Sequence, residues 1–354
     1  MPDFTQENRL IAIDTPLGPD VLLLDSFSGH EEMSKPFHFR LRLLSHKHDI
    51  LFKDIVTKNV TLSVETKDNQ FRYFNGHISR FTQVDDAGIF AVYEAEMVPW
   101  LWFLSLTADC RIYQEKTVPE VIEDVFKRLG LKHFELKLTG RHSKWEYCVQ
   151  YRETALQFVS RLMEQEGIFY YFKHESNRHV LVLADHPGAP DLCVGNPFPF
   201  EPAAGAGFDR VEDYVQTWRR SREIRPNRRA LTDYNFKTAT TSLLQQTDTS
   251  SDIKLTPPLE IYDYPGEYLT VSDGEALTRQ HMEEEEAAGS RVGGHGTCRA
   301  FSPGYRFTLK DHPRAAENAE YLLLTVRHEA QSNLSETGMG DHAFYRNDFT
   351  ALPR

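Results

Sequence analysis

Two stretches near the start of the chain alternate strictly between apolar and polar residues. Phe37, Phe39, Leu41 and Leu43 are interleaved with His38, Arg40 and Arg42, and Val60, Leu62 and Val64 with Thr61, Ser63 and Glu65. A period of two sends successive side chains to opposite faces, so each stretch predicts a strand with one buried face. Thr15-Pro16-Leu17-Gly18-Pro19 and Asp85-Asp86-Ala87-Gly88 are turn signals between such runs. Short strands separated by turns predict an antiparallel barrel or sandwich. The 23 Phe and 15 Tyr lean the same way, because planar rings suit a pleated, half-buried surface.

The middle of the chain changes period. Thr117-Val118-Pro119-Glu120 is a capping box, and Val118, Val121, Ile122, Val125 and Leu129 follow at helical spacing, with Gly130 as the stop. Thr154-Ala155-Leu156-Gln157 repeats the device ahead of Phe158, Val159, Leu162 and Met163, and Gly167 ends that helix. Ile168–Phe172 and Val180–Ala184 then predict a hairpin, so this part is an α+β insertion. His186 to Gly207 is rich in Pro, Gly and Ala and predicts a linker or wrapping loop. Beyond it β-patterning returns at Tyr234 and Phe236, at Tyr305, Phe307 and Leu309, and at Leu322, Leu324 and Val326. One helix interrupts, from a third capping box at Ser272-Asp273-Gly274-Glu275 to about Ala288.

A length of 354 residues predicts two or three domains, and 40% hydrophobic with 26% charged residues is the profile of a soluble globular chain. The net charge of −12 argues against nucleic acid or an anionic membrane as the main partner. Cys110, Cys148, Cys193 and Cys298 form no C-x-x-C pair and read as structural thiols of a reducing compartment. No apolar segment follows the polar start, so export would proceed without a Sec signal. The longest apolar run, Met97 to Leu106, is about half of a membrane-spanning helix.

The strong motifs of catalysis and metal binding are missing: no G-x-S-x-G elbow, phosphate-binding loop, H-E-x-x-H or EF-hand loop is present. His46-Lys47-His48 would put two imidazoles on one face of an extended segment, without a third ligand nearby. His295 and Cys298 lie close in a Gly-rich run and offer a nucleophile and base for a hydrolase, against the simpler reading of a Gly-rich approach to a strand. Six of the eleven residues from Arg219 to Arg229 are arginine, and Glu283 to Glu286 is an acidic run on the predicted helix. Both patches predict contacts: an acidic partner surface, such as a neighbouring copy, for the arginines, and a wet helix face for the glutamates. Arg219, Arg220 and Arg222 are therefore candidate interface residues, together with Trp100 and Trp102, which share one side if their segment is extended.

The stretch Tyr147-Cys148-Val149-Gln150-Tyr151-Arg152-Glu153, continuing through Phe158, Arg161, Glu164, Glu166-Gly167-Ile168 and Tyr170-Tyr171-Phe172, closely resembles the signature of the VgrG family of type VI secretion spike proteins. So do Val98-Pro99-Trp100-Leu101-Trp102, Asp109-Cys110-Arg111-Ile112-Tyr113-Gln114, Leu231-Thr232-Asp233-Tyr234-Asn235-Phe236 and Tyr262-Asp263-Tyr264-Pro265-Gly266. The resemblance runs in order over nearly the whole chain. It implies a mainly β, α+β fold similar to phage tail hubs: two related antiparallel β-barrels with an α+β insertion, and no active site or cofactor. It also implies a homotrimer that meets the hexameric tube protein Hcp. An OB domain, a β-helix needle, a PAAR cap and effectors would be the other partners. The expected division is a first barrel over 1–104, the insertion over 105–185, a linker over 186–210, and a second barrel with one helix over 211–354. The expected place is the cytoplasm during assembly and then delivery to a target cell. A baseplate hub of a contractile phage or phage-like particle is the alternative, and a hydrolase using His295 and Cys298 a further one. Trimers held by charged rims would shift toward monomer as salt rises.

Overall fold

The alternating segments fold as strands, and their apolar phases point to one interior. A computed structural model describes residues 4–66, 70–87, 89–202, 213–333 and 343–354. The first six strands are β1 (Ile11–Asp14), β2 (Leu23–Glu32), β3 (His38–Ser45), β4 (Asn59–Glu65), β5 (Phe71–Ala87) and β6 (Phe90–Val98). Neighbours pair antiparallel, with Leu41 opposite Ala95 on β6 and Phe27 on β2. Phe39, Leu41, Leu43, Val60, Leu62 and Val64 are all buried, while Arg40 and Arg42 are exposed, as a period of two requires. Asp85 and Asp86 belong to β5, which continues to Ala87 opposite Phe90, so the turn lies beyond them.

The insertion follows as β7 (Ala108–Tyr113), α1 (Val118–Arg128), β8 (Phe134–Lys137), β9 (Cys148–Thr154), α2 (Ala155–Gln165), β10 (Phe169–His174) and β11 (His179–Ala184). Both capping boxes form as the sequence predicts: Thr117 Oγ1 accepts the Glu120 N–H and Thr154 Oγ1 accepts the Gln157 N–H. The apolar faces of α1 and α2 merge with the interior of the first six strands in one continuous core. Trp100 does not lie in an extended segment. Pro99 precedes a 3₁₀ turn, Trp100–Leu106, in which Trp100 is buried edge-on against Phe126 and Trp102 is half-buried.

The remaining strands are β12 (Phe198–Pro199), β13 (Val215–Arg222), β14 (Arg228–Leu231), β15 (Gln245–Asp248), β16 (Glu260–Asp263), β17 (Ser290–Gly296), β18 (Arg306–Lys310), β19 (Glu320–Gln331) and β20 (Phe344–Pro353), with helix α3 (Val271–Gly289) before β17. The large sheet runs β1-β4-β5-β6-β3-β2-β19-β20-β17-β13, and β18 pairs both β12 and β19. The segment after His186 is a wrapping strap as far as it is described: Cys193 and Phe198 are buried, and Phe198 lies opposite Leu309. Its residues from 203 onward are outside the described residues. On β19 the buried residues are Tyr321 and Leu323, then Val326, His328 and Ala330, so the phase changes at Leu324–Thr325 and only Val326 of the predicted trio points inward.

Two compact units emerge: one comprises Met1–Thr217, Gly294–Thr350 and Arg354, the other Trp218–Gly293 and Ala351–Pro353. The smaller unit falls inside the span 211–354 that the sequence assigns to a single barrel. Its sheet, β15-β14-β16, packs against α3 around Leu231, Leu243 and Tyr268. Helix α3 starts two residues earlier than predicted, because Thr270 Oγ1 rather than Ser272 accepts the first-turn N–H, from Asp273. Both positions satisfy the Ser/Thr-to-acid spacing, and the earlier start seats Gly274 against the Tyr268 ring. Tyr234 and Phe236 are not strand residues. Asn235 Oδ1 accepts the Lys237 N–H and turns the chain into a 3₁₀ turn at Phe236–Thr238.

Candidate functional site

The signature residues of the insertion form one brace. Strand β9 bulges at Arg152: Tyr151 faces Cys110 and Glu153 faces Asp109, which leaves Arg152 unpaired with φ +53°. The bulge leaves Tyr151 exposed with the Arg152 guanidinium 5.2 Å from its ring centre. It also turns Glu153 onto α2, where Arg161 donates Nε (3.1 and 3.0 Å) and Nη2 (2.8 Å) to its carboxylate and a further 2.6 Å bond to the Val149 carbonyl. Glu166, at the end of α2, accepts from Trp145 Nε1 at 3.2 Å and bonds His142 Nδ1 at 2.8 Å. Gly167 then takes φ +67°, and the Ile168 N–H reaches back to the Met163 carbonyl at 2.8 Å. A β-branched side chain is strained there, so Gly167→Val is expected to cost about 1 kcal/mol or more in urea unfolding. An unchanged midpoint would refute that role.

In the smaller unit Pro265 follows a cis peptide bond after Tyr264, and Gly266 does similar bracing work. Gly266 donates its N–H to the Thr232 carbonyl at 2.9 Å, and a Cβ there would come within 2.4 Å of the Tyr268 ring. Tyr268 is thereby seated in the core with its hydroxyl bonded to the Leu231 and Leu243 carbonyls. Tyr262 and Tyr264 are exposed.

The larger unit contains a polar cluster that the sequence reading did not single out. Glu31 of β2 is buried, and its two oxygens bond His174 Nε2 of β10 at 3.0 Å and His328 Nε2 of β19 at 2.8 Å. The tautomer of His174 is fixed from the far side of its ring, and His328 holds its proton on Nε2 because the carboxylate there can only accept. The backbone N–H of Asn75 can only donate, and it points at His174 Nδ1 from 3.0 Å, so the proton of His174 sits on Nε2. His328 Nδ1 faces the Tyr345 hydroxyl at 2.7 Å, which in turn faces Asn347 Nδ2 at 3.2 Å. Asn347 donates, Tyr345 donates onward to His328, and His328 donates to Glu31. His179 is locked in the opposite sense: the Trp100 N–H donates to its Nε2 at 2.9 Å, so Nδ1–H donates to Asn75 Oδ1 at 2.9 Å.

His174 and His179 are therefore neutral, burial disfavours the charged form of His328, and Glu31 carries the charge, with Arg72 4.0 Å away. Burial opposes ionisation of Glu31, but the hydrogen bonds from His174 and His328 prevail and hold its carboxyl well below the usual range. Burial likewise pushes His174, His179 and His328 below the ordinary imidazole value. The cluster joins the first strands, the insertion and the later strands of the unit. It is a polar structural joint in which Asn347 Oδ1 and Arg72 Nε are left without a hydrogen-bond partner among the described residues.

The other candidates lie elsewhere. His46 is exposed, with its ring 4.4 Å from Phe90. Among the described residues no group of three or more His, Cys, Asp or Glu is placed to hold a metal ion. His295 Nδ1 meets Asp348 at 3.2 Å, and Cys298 is 0% exposed with its thiol pushed well above the ordinary value by burial. Brief iodoacetamide treatment of the native chain is expected to modify exposed Cys110 and to spare Cys148, Cys193 and Cys298, as intact mass would report. Rapid labelling of Cys298 would restore its standing as a nucleophile.

The two charged runs meet within the smaller unit, contrary to the expectation of separate surface patches. Glu285 is buried and bonds Arg225 at 2.8 Å and Arg229 at 2.6 Å. Arg222 pairs with Asp252 and Arg228 with Asp248, both at 2.6 Å, while Glu286 accepts from the Ser250 N–H and the Thr249 hydroxyl. Burying the Glu285 carboxylate would be costly without partners, and Arg225 and Arg229 supply them. Arg219, Arg220 and Arg222 are exposed.

A large sheet, a braced insertion and a polar joint are the parts of a scaffold, and comparison with known proteins places it. The chain belongs to the phage tail baseplate hub (GPD) family, whose profile matches residues 30–334. It is similar to the type VI secretion system spike protein VgrG1a of Pseudomonas aeruginosa, 40% identical over 338 residues, covering 95% of this chain and 52% of that protein. The actin cross-linking toxin VgrG1 of Vibrio cholerae is 26% identical over 349 residues, and the chain covers 32% of it. The chain thus spans about half the length, or less, of these relatives. Among solved structures, the E. coli c3393 protein superposes with a TM-score of 0.71 at 18% identity, covering 97% of this chain and 76% of that one. That protein is a type VI secretion component with structural similarity to the T4 tail proteins gp27 and gp5. No helix among the described residues is long and apolar enough to cross a membrane.

Proposed function

We propose that this chain is the hub portion of a type VI secretion spike and works by shape. The observation that carries the reading is the in-order similarity to spike proteins along 95% of the chain. The locations of the signature residues support it: Glu153, Arg161, Glu166 and Gly167 brace the insertion, and Gly266 seats Tyr268. In this reading residues 1–104 and the strands after the linker form two related barrels, and three copies make a ring facing the hexameric tube protein Hcp. In the complete spike an OB domain, a β-helix needle and a PAAR cap continue from the hub, and effectors ride on the assembly. The hub assembles in the cytoplasm and is then delivered to a target cell. It does no catalysis of its own; the toxin activity named for the V. cholerae relative is a property of that longer protein.

Deleting the gene should abolish release of the tube protein into the medium, and a copy with His295→Ala and Cys298→Ala should restore it. Undiminished release from the deletion strain overturns the spike reading. Failure of a well-folded double variant overturns the non-enzymatic one. The family description also fits a baseplate hub of a contractile phage, which purification of intact tails containing the chain would reveal.

A further inference from the structure

Helix α3 has 19 residues, so its ends lie about 28 Å apart. At its N-terminal end the two aromatic signature loops are tied together. Asn235 Nδ2 donates to the Leu269 carbonyl at 3.1 Å, the Glu267 N–H donates to Asp233 at 2.6 Å, and Gly266 holds Thr232. On this fixed knuckle Phe236 is 76% exposed, and Tyr234, Tyr264 and Leu269 are more than half exposed. Exposed acids, Asp263, Glu267, Asp273 and Glu275, stand around it beside Lys237. Large rigid aromatics held at low entropic cost and ringed by charge are typical of the centre of a binding surface.

At the C-terminal end of α3 the Glu223 N–H donates to the Gly289 carbonyl at 2.9 Å, which places the arginine strand there. Several acids of that end are already engaged: Glu285 with Arg225 and Arg229, Asp252 with Arg222, Asp248 with Arg228. Arg219 and Arg220 stand exposed at the edge of the sheet order, with Ile224 also exposed. Glu283 and Glu284 are exposed on the helix, so selectivity rests on the local strand and not on net charge.

From this arrangement we infer that the aromatic knuckle of one copy receives the arginine strand of a second copy. Guanidinium groups stack on the Tyr and Phe rings and face the acidic rim, with Ile224 against the apolar centre. The two surfaces lie at opposite ends of one helix, so the contact is head-to-tail, a kind that closes into a ring of copies. The inference rests on the hub reading and names where its copies meet.

Mixing two defective variants tests it. Phe236→Ser with Tyr264→Ser removes the knuckle, and Arg219→Glu with Arg220→Glu reverses the strand; all four positions are exposed. Matching far-UV dichroism and melting temperature establish that each variant folds. In sedimentation velocity over a range of concentrations the parent chain should associate, and each variant alone should need at least tenfold more protein to do so. Mixed one to one, the variants should form a dimer and stop, because one intact contact survives and the ring cannot close. Parent-like assembly of either variant overturns the proposed surfaces while leaving a ring of copies intact. A mixture that stays monomeric overturns the head-to-tail geometry, and a parent that stays monomeric overturns the contact itself. The hub reading fails separately, in the tube-release experiment.

Discussion

Urea unfolding is expected to show stability falling steeply as pH drops from 7 to 5. His174, His179 and His328 are depressed in the folded chain by burial. Their stabilising contribution is complete above the unfolded imidazole value near 6.5 and is lost progressively as pH falls toward the folded values. Unfolding then takes up as many as three protons, a slope of up to about 4 kcal/mol per pH unit. His77, also depressed by burial, adds in the same direction. Asp213 works in the opposite direction: burial raises it to about 6, so between that value and its unfolded one the folded form binds the extra proton. Asp25 is raised for the same reason. These oppose the histidines without outnumbering them. Glu31 is depressed, so its own contribution persists until pH falls below the ordinary carboxylate range. A stability curve flat between pH 7 and 5 would mean that the histidines are not held neutral.

Replacing Glu31 by glutamine is expected to destabilise the chain almost as much as replacing it by alanine, by about 3–5 kcal/mol. An amide keeps one acceptor oxygen and turns the other position into a donor. His174 cannot adapt, because the Asn75 N–H fills its Nδ1, and His328 can adapt only by a tautomer switch that costs the Tyr345 hydroxyl its acceptor. Either one ring N–H then faces an NH₂ group or the Tyr345 hydroxyl loses its acceptor, and Arg72 loses its buried counter-charge. The exposed acid Glu329, paired with Arg346 on the surface, provides the control: Glu329→Gln should change stability by less than about 1 kcal/mol. If Glu31→Gln proved as mild, the donor assignment around Glu31 would be wrong.

The features legible in the sequence are those written in local patterns. The period of two placed β3 and β4, and the Thr117 and Thr154 boxes placed α1 and α2 almost to the residue. The failures came where a pattern had two solutions or was cut short. Thr270 and Ser272 compete for one cap, and Tyr234 and Phe236 alternate like a strand although Asn235 makes a turn. Glu31 was the most readable omission. It shares a strand phase with Phe27, and His328 shares one with Val326 and Ala330, so charged or imidazole side chains sit on apolar phases of two strands. The predicted hairpin ended at Phe172 and resumed at Val180, just short of His174 and His179. The pairing of the arginine and glutamate runs was invisible for another reason, since 60 residues separate Arg225 from its partner Glu285.

The donors around Glu31 all point inward to one acceptor. A sheet this large offers many nearly equivalent ways to slide one strand past its neighbour, since a slip of two residues keeps apolar side chains on the inner face. In the register found, His328 lies opposite Gly29 and reaches Glu31 diagonally, and a slip of β19 that moved it further from Glu31 would cost the buried carboxylate one of its two histidine donors. His328 and Glu31 are 297 positions apart in the chain, so that contact forms only when distant parts of the sequence have come together. The joint thus ties the alignment of β2, β10 and β19 to directional polar contacts, which hydrophobic packing alone does not supply.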